Sequence, residues 1–294
     1  MRNLLSADFA RLWRSRLFWI MEAGVFAWGI FVYFLLRVNT ANGYPFQNGN
    51  NYFFNYMTFV GITVACFSGL FIGTEYSDGT MRNKISVGHS RVTIYLANLV
   101  TVACAGVAQS AAYTLAALTA GPLLVGDLVW SRLYSLPETF ALAFLSICSS
   151  AAVAVLISMV VLDKSKAVLL NALLSILLLA AGASALKGLL QPPMTERAYV
   201  AVRGQYVYAS QEEIGDLPGV ELAPNPKYLN GTERKVYECI AAVLPTSLAL
   251  SCALDEGDED YYDRFSGLQA AGALAAVAVL SGSGILVFRK RDLK

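Results

Sequence analysis

The chain alternates long apolar runs with short polar links. Runs without charge, or with a single charge, occupy residues 17–36, 52–73, 92–120, 139–162, 167–186 and 266–288. Each is long enough to cross a bilayer as a helix, which takes about 20 apolar residues. Ahead of the first run, Leu5, Phe9, Leu12 and Trp13 share one helical stripe, with Arg2, Arg11, Arg14 and Arg16 around it. That is the pattern of an amphipathic helix lying in a membrane interface. Basic residues before an apolar run also mark signal peptides, but residues 17–36 are too long for one and lack a small-residue cleavage site, so they read as a retained span. The expected fold class is an all-α polytopic membrane protein. It has an interfacial helix in 1–16, five spans in 17–186, a long polar segment in 187–265, and a sixth span with a basic tail in 266–294.

Composition agrees with this reading. Of the 294 residues, 56% are hydrophobic and 15% charged, against about 25% charged in a typical soluble domain. The mean hydropathy is +0.52. A net charge of +1 gives no footprint for a nucleic-acid partner; the lipid bilayer is the expected surrounding. Six spans put both termini on one side. The N-terminal arm, the link 75–91, the turn 163–166 and the tail together carry thirteen Lys and Arg, whereas the two short links on the other side carry only Arg37 and Arg132. Positive residues stay inside, so both termini are expected in the cytoplasm of a multi-pass cell-membrane protein.

The long segment is then outside, and it holds thirteen of the 21 acidic residues. Its stretch 234–254 turns apolar again around Pro245. It reads as an outer helix resting on the membrane or dipping into it; Pro245, Glu238 and the even number of spans argue against a seventh crossing. The run Asp255-Glu-Gly-Asp-Glu-Asp260 has the composition of a calcium loop without its spacing and reads as a solvated acidic linker. Cys66, Cys104 and Cys148 fall in spans as packing residues, while Cys239 and Cys252 could pair in an oxidising compartment. The single histidine, His89, excludes His-rich metal sites and reads as a solvated loop residue.

The link between the second and third runs has the most chemistry. Asp78-Gly79 supplies a turn, Thr80 is placed to cap a short helix, Gly88 to end it in a left-handed conformation, and Ser90 to cap the next span. Met81 and Ile85 share a face of that helix, with Arg82, Asn83, Lys84 and Ser86 around them. This makes an apolar knob with a polar rim, suited to a groove on a cytoplasmic partner, or else an ordinary helical loop. Glu75 and Arg82 flank the turn and are placed to pair across it or to bond the backbone ends of the second and third spans.

Glu22 is the one ionisable residue well inside a run, about 9 Å deeper than Arg16 at a rise of about 1.5 Å per residue. It either faces other helices or a wet cavity, or reaches back to an arginine of the N-terminal arm. Asn171, Ser175 and Gly182 form a polar seam that lines a conduit or glues helices. Tyr56, Phe59 and Thr63 offer mixed polar and aromatic surface, suited to an amphipathic ligand or to core packing. The candidate substrate pathway is therefore Tyr56, Phe59, Thr63, Asn171, Ser175 and Glu22. No phosphate-binding glycine loop occurs, so the chain is not expected to be an enzyme.

The segment Glu75-Tyr-Ser-Asp-Gly-Thr-Met-Arg-Asn-Lys-Ile85, followed by Gly88-His-Ser-Arg91, resembles the one after the second span in permease subunits of type-2 ABC exporters. The similarity is to the subgroup of lantibiotic immunity and bacitracin-type antibiotic resistance. The arm Phe9-Ala-Arg-Leu-Trp-Arg-Ser-Arg16, the six-span layout and the tail from Phe288 also look like that family. The resemblance implies two permease copies, identical or related, above two copies of a separate ATPase that carries the ATP and magnesium. It places Glu75, Gly79, Thr80, Met81, Arg82 and Ile85 in the family's transmission element, and implies a hydrophobic or amphipathic cargo such as an antimicrobial peptide, lipid or drug. The residues alone also admit a stand-alone secondary transporter or channel, or a membrane sensor or anchor with an outer ligand-binding segment.

Topology is open to direct measurement. In a cysteine-free background, Gly215→Cys is expected to react with an impermeant thiol reagent in whole cells and Ser86→Cys is not. The reverse pattern overturns the orientation.

Overall fold

The computed structural model describes residues 1–42, 52–126, 136–191, 194–196, 201–202, 205–206, 222–253 and 259–290. The links carrying Asp127, Trp130 and Arg132, most of 192–221, the start of the acidic run at Asp255 and the last four residues lie outside the described residues.

Among the described residues, six helices are long and apolar enough to cross a membrane, as the runs predict. They are preceded by α1 (Arg2–Arg14). Ser15 is extended, ends α1, and caps α2 (Arg16–Ala41) by accepting from the Phe18 amide at 3.4 Å. Trp13, Phe18 and Trp19 cluster at this corner with ring centroids 5.4 to 5.6 Å apart. The inward face of α1 is Leu4, Asp8 and Leu12, with Leu5 and Phe9 partly buried. Trp13, expected on that face, is 57% exposed. The face is rotated because Asp8 is drawn into an ion pair, described below.

The other elements are α3 (Met57–Ser77), α4 (Thr80–Ser86), α5 (Arg91–Leu124), α6 (Leu136–Val160) and α7 (Lys164–Leu189), then α8 (Gly231–Val243), α9 (Pro245–Ala253) and α10 (Glu259–Lys290). Four strands of two or three residues between α7 and α8 pair as two short antiparallel ladders, Met194–Glu196 with Leu222–Pro224 and Ala201–Val202 with Gln205–Tyr206. Several helices overrun their expected ends. α2 continues past Arg37, whose Nη1 donates to the Leu124 carbonyl at the end of α5 (2.9 Å). α5 passes through Pro122; so near the end, the proline removes only the amide that would have bonded Leu118. α10 begins at Glu259, so the acidic run ends in helix rather than in a linker.

Close packing is carried by small residues. Gly61, Ala65, Gly69 and Gly73 recur every fourth residue along α3, and this stripe lies antiparallel against α7. A Cβ at Gly73 would stand 2.9 Å from Lys164 Cα, and one at Gly69 2.9 Å from Val168 Cα. Further along, Ser175 Oγ donates to the Gly61 carbonyl at 3.3 Å. Such stripes let helix backbones approach where lipid tails offer no hydrophobic drive for association. Asp163 caps α7, accepting from the Lys166 amide at 2.9 Å, which makes the α6–α7 turn as tight as expected.

The apolar stretch around Pro245 is neither one straight helix nor a simple crossing. α8 and α9 meet at 92°, and every residue of α9 is buried. Pro245 is the first residue of α9, a position where its missing amide costs least. The carbonyl it would have bonded, Ala241, accepts instead from the Ser247 hydroxyl. Ser146 of α6 donates to the Pro245 carbonyl at 2.9 Å, and Gly182 of α7 admits Thr246 and Ser247. Cys239 is exposed on α8 and Cys252 is buried in α9, and both are free thiols.

Gly69→Leu is expected to destabilise the detergent-solubilised protein by about 1–3 kcal/mol through overpacking. Gly24→Leu is expected to be near neutral, since a Cβ there meets nothing within 4 Å. Equal melting temperatures for the two variants would refute the stripe as the α3–α7 contact.

Candidate functional site

α3 leads into the Asp78-Gly79 turn. Gly79 takes φ 70°, a left-handed conformation that glycine adopts without strain. Gly79 itself precedes α4, so Thr80 is its first residue and not the expected cap. The Thr80 hydroxyl turns back and donates to the Glu75 carbonyl at 3.1 Å. At the far end Gly88 takes φ 96°. Its amide bonds the Ile85 carbonyl (2.9 Å) and the His89 amide bonds the Lys84 carbonyl (3.2 Å), the paired closure of a left-handed glycine cap. Ser90 caps α5 as expected, accepting from the Thr93 amide at 3.1 Å.

The turn is held by a buried ion cluster. Glu75, in the last turn of α3, is fully buried. Its Oε1 accepts from Arg11 Nη1 of α1 at 2.7 Å and from Lys84 Nζ of α4. Its Oε2 accepts from Asn98 Nδ2 of α5 at 3.5 Å. Lys84 also donates to Asp8 Oδ1 of α1 at 2.7 Å. The Arg11 guanidinium lies 3.7 Å from the centroid of the Phe71 ring, a cation–π contact. Two carboxylates and two cations from α1, α3 and α4 are thus gathered at one end of the bundle, with an α5 amide beside them.

This geometry corrects two expectations. Glu75 does not pair with Arg82 across the turn: the carboxylate points into the bundle, and Arg82 is exposed. The knob at Met81 and Ile85 does not project outward either. Met81 is 1% exposed and Ile85 is partly buried against the core, because Lys84 pulls that side of α4 onto Glu75. The free face of α4 is Arg82, Asn83, Ser86 and Val87, the last 78% exposed.

A second polar group lies deeper in the bundle. The Tyr56 hydroxyl donates to Gln109 Oε1 of α5 at 2.9 Å and lies 2.8 Å from the Thr63 hydroxyl. Glu22 is within electrostatic range of Tyr56 and is 9% exposed, with Oε1 unpartnered. Among the described residues it makes no salt bridge with any arginine of the N-terminal arm, and Arg11 of that arm is held by Glu75. Phe59 lies at the surface near this group, 39% exposed. Asn171 and Ser175 sit elsewhere, against α3 and α6: Asn171 Nδ2 donates to Ser158 Oγ at 2.8 Å, and Ser158 Oγ lies 3.0 Å from Ser68 Oγ. These are helix–helix contacts.

Sequence reasoning missed Asp8, Asn98 and Gln109, and gave Arg11 to lipid headgroups and Lys84 to a rim. Asp8 did leave a signal, since it is spaced four residues from both Leu4 and Leu12. Asn98 and Gln109 are lone amides in a helix otherwise built of small and apolar residues.

Glu75→Gln is expected to cost about 3 kcal/mol, the lower end of the range for breaking a buried pair, because Arg11 is 31% exposed and partly screened. Arg82→Gln is expected to change stability by less than about 0.5 kcal/mol. Thermal unfolding of both variants in detergent checks the assignment, and equal losses would restore a pair across the turn. Compared with known proteins, the chain matches no family model and no curated relative.

Proposed function

We propose that this chain is the membrane-spanning subunit of an ATP-binding-cassette exporter in a bacterial cell membrane, with both termini cytoplasmic. A separate ATPase, in two copies, binds ATP and magnesium. A second permease copy, identical or related, completes the complex. The cargo is hydrophobic or amphipathic, an antimicrobial peptide, lipid or drug.

One observation carries the reading. α4 is a two-turn helix bounded by left-handed glycines and bonded through Lys84 and Glu75 to α1 and α3, with Asn98 of α5 on the same carboxylate. A segment that passes force from a partner to the spans needs that construction: a free polar face for the partner and a stiff joint to the long helices behind it. On this reading α1 lies in the cytoplasmic interface and helps brace α4. Arg82, Asn83, Ser86 and Val87 meet the ATPase, while Met81 and Ile85 seat the helix.

A buried, unpaired carboxylate at Glu22 and the broken α8–α9 pair favour a second reading, a secondary transporter without an ATPase. Co-expression with a candidate ABC ATPase subunit from the same organism separates the two. The ATPase is expected to copurify with the wild-type chain, to be lost at least about tenfold with Ser86→Arg or Val87→Asp, and to be retained with Glu75→Gln, which uncouples hydrolysis from transport. Failure to copurify, or indifference to both surface changes, overturns the exporter reading.

A further inference from the structure

α2 and α5 run parallel in a fixed register. Gly29 of α2 meets Ala116 of α5, where an added Cβ would stand 2.6 Å from the alanine methyl, and Arg37 reaches the Leu124 carbonyl. Both pairs are 87 positions apart. The same offset from Glu22 falls on Gln109. Glu22 also lies on the buried stripe of α2, with Phe18, Val25, Gly29 and Tyr33, so it faces the bundle at the level of Gln109. Tyr56 agrees with that level: its hydroxyl donates to Gln109 Oε1 at 2.9 Å, and it is within electrostatic range of Glu22.

Each side of this centre carries an orphan. Glu22 Oε1 and Gln109 Nε2 are without a partner among the described residues, on side chains more than nine-tenths buried. The titratable groups brought here by α5 and by the turn ahead of α3 are phenols, Tyr113 and Tyr56, stacked with ring centroids 5.9 Å apart. α1 also packs beside α2, but its Asp8 and Arg11 are taken up by Lys84 and Glu75. An isolated carboxylate is too costly to keep in such a place, and taking up a proton removes the cost. The amide suits the uncharged acid too. Its oxygen has a second lone pair beyond the one Tyr56 uses, and its free N–H needs an acceptor. An acid offers a matching O–H and carbonyl, whereas a carboxylate offers acceptors only. A metal cation such as calcium or magnesium takes oxygen ligands, and the free atom of Gln109 is a donor.

We propose that Glu22 is a proton-binding site inside the bundle: it takes up a proton at neutral pH and shares it with the Gln109–Tyr56 pair. The centre needs neither ATPase nor cargo, so it goes beyond the exporter reading and is independent of it.

The experiment treats the full chain in lipid nanodiscs with dicyclohexylcarbodiimide, a lipid-soluble reagent that couples to carboxyl groups in their protonated form. Mass spectrometry maps the adduct. Glu75 is the internal control, a buried carboxylate held by Arg11 and Lys84. At neutral pH the adduct on Glu22 is expected to exceed that on Glu75 at least about tenfold, and to fall as the medium is made alkaline. Gln109→Lys places an ammonium opposite the carboxyl and is expected to cut the labelling about tenfold or more. Gln109→Met, similar in size but uncharged, is expected to retain it. No adduct on Glu22, a yield no greater than on Glu75, or labelling indifferent to alkaline pH or to Gln109→Lys overturns the proposal. If the lysine variant fails to fold, the wild-type yields at neutral and alkaline pH decide. ATPase copurification is a separate measurement, so failure of the proton site leaves the exporter reading standing, and failure to copurify leaves the proton site standing.

Discussion

The arrangement depends on one buried carboxylate. Glu75 is fully buried at the end of α3, where an unpaired charge is too costly to keep. It is tolerable only because Arg11, Lys84 and Asn98 converge on it. That demand fixes three elements at once. α1 must fold back to deliver Arg11, the Asp78-Gly79 turn must be tight enough to return Lys84, and α5 must start where Asn98 reaches Oε2. Asp8 then shares Lys84, so the two carboxylates and two cations balance. Partial satisfaction remains: Asp8 Oδ2 and two Arg11 nitrogens are buried without a partner among the described residues. A buried ion cluster of this kind adds little net stability compared with apolar packing. Its effect is to exclude other placements of α1 and α4.

Elsewhere the helices are held by closeness. Burying apolar side chains yields little when the alternative surroundings are lipid tails, so contact between backbones decides which helices associate. The glycines of α3 meet α7, Gly29 of α2 meets Ala116 of α5, and Gly106 of α5 meets Ile147 of α6. α9 is the case where closeness alone does not suffice, because a short buried helix leaves end groups to satisfy. Around it the hydroxyls of Ser146, Thr246 and Ser247 donate to the Pro245, Leu178 and Ala241 carbonyls, tying α9 to α6, α7 and α8. Hydroxyls are suited to the task, being small enough not to separate the helices they join.

The apolar runs, the Asp78-Gly79 turn, the left-handed glycine at 88, the Ser90 cap and the interruption at Pro245 were legible in the sequence, because each follows from local sterics or from a hydrophobic stretch of sufficient length. Two kinds of feature were not. Periodicity gives the face of a helix but not its partner, so Met81 and Ile85 read as an outward knob when they are the seat of α4. Long-range pairing was the other gap. Glu75 and Arg82 are neighbours in the chain, but the carboxylate bonds Arg11, 64 positions earlier. Adjacent opposite charges on a turn invite a local pair, and burial overrules it because Arg82 can stay in water while Glu75 cannot.

α3 joins the two polar groups of the bundle. It carries Glu75 near one end and Thr63 nearer the other, twelve residues apart, or about 18 Å along a rigid helix. One face meets α7 through glycines, against which Val168 and Lys164 of α7 pack closely. Another carries Thr63, which bonds the Tyr56 hydroxyl beside Gln109 of α5, and its end is tied through Glu75 to α4. On the proposed exporter reading, α3 is the single element that joins α4 to Thr63, with no chain of intermediate side chains needed to connect them.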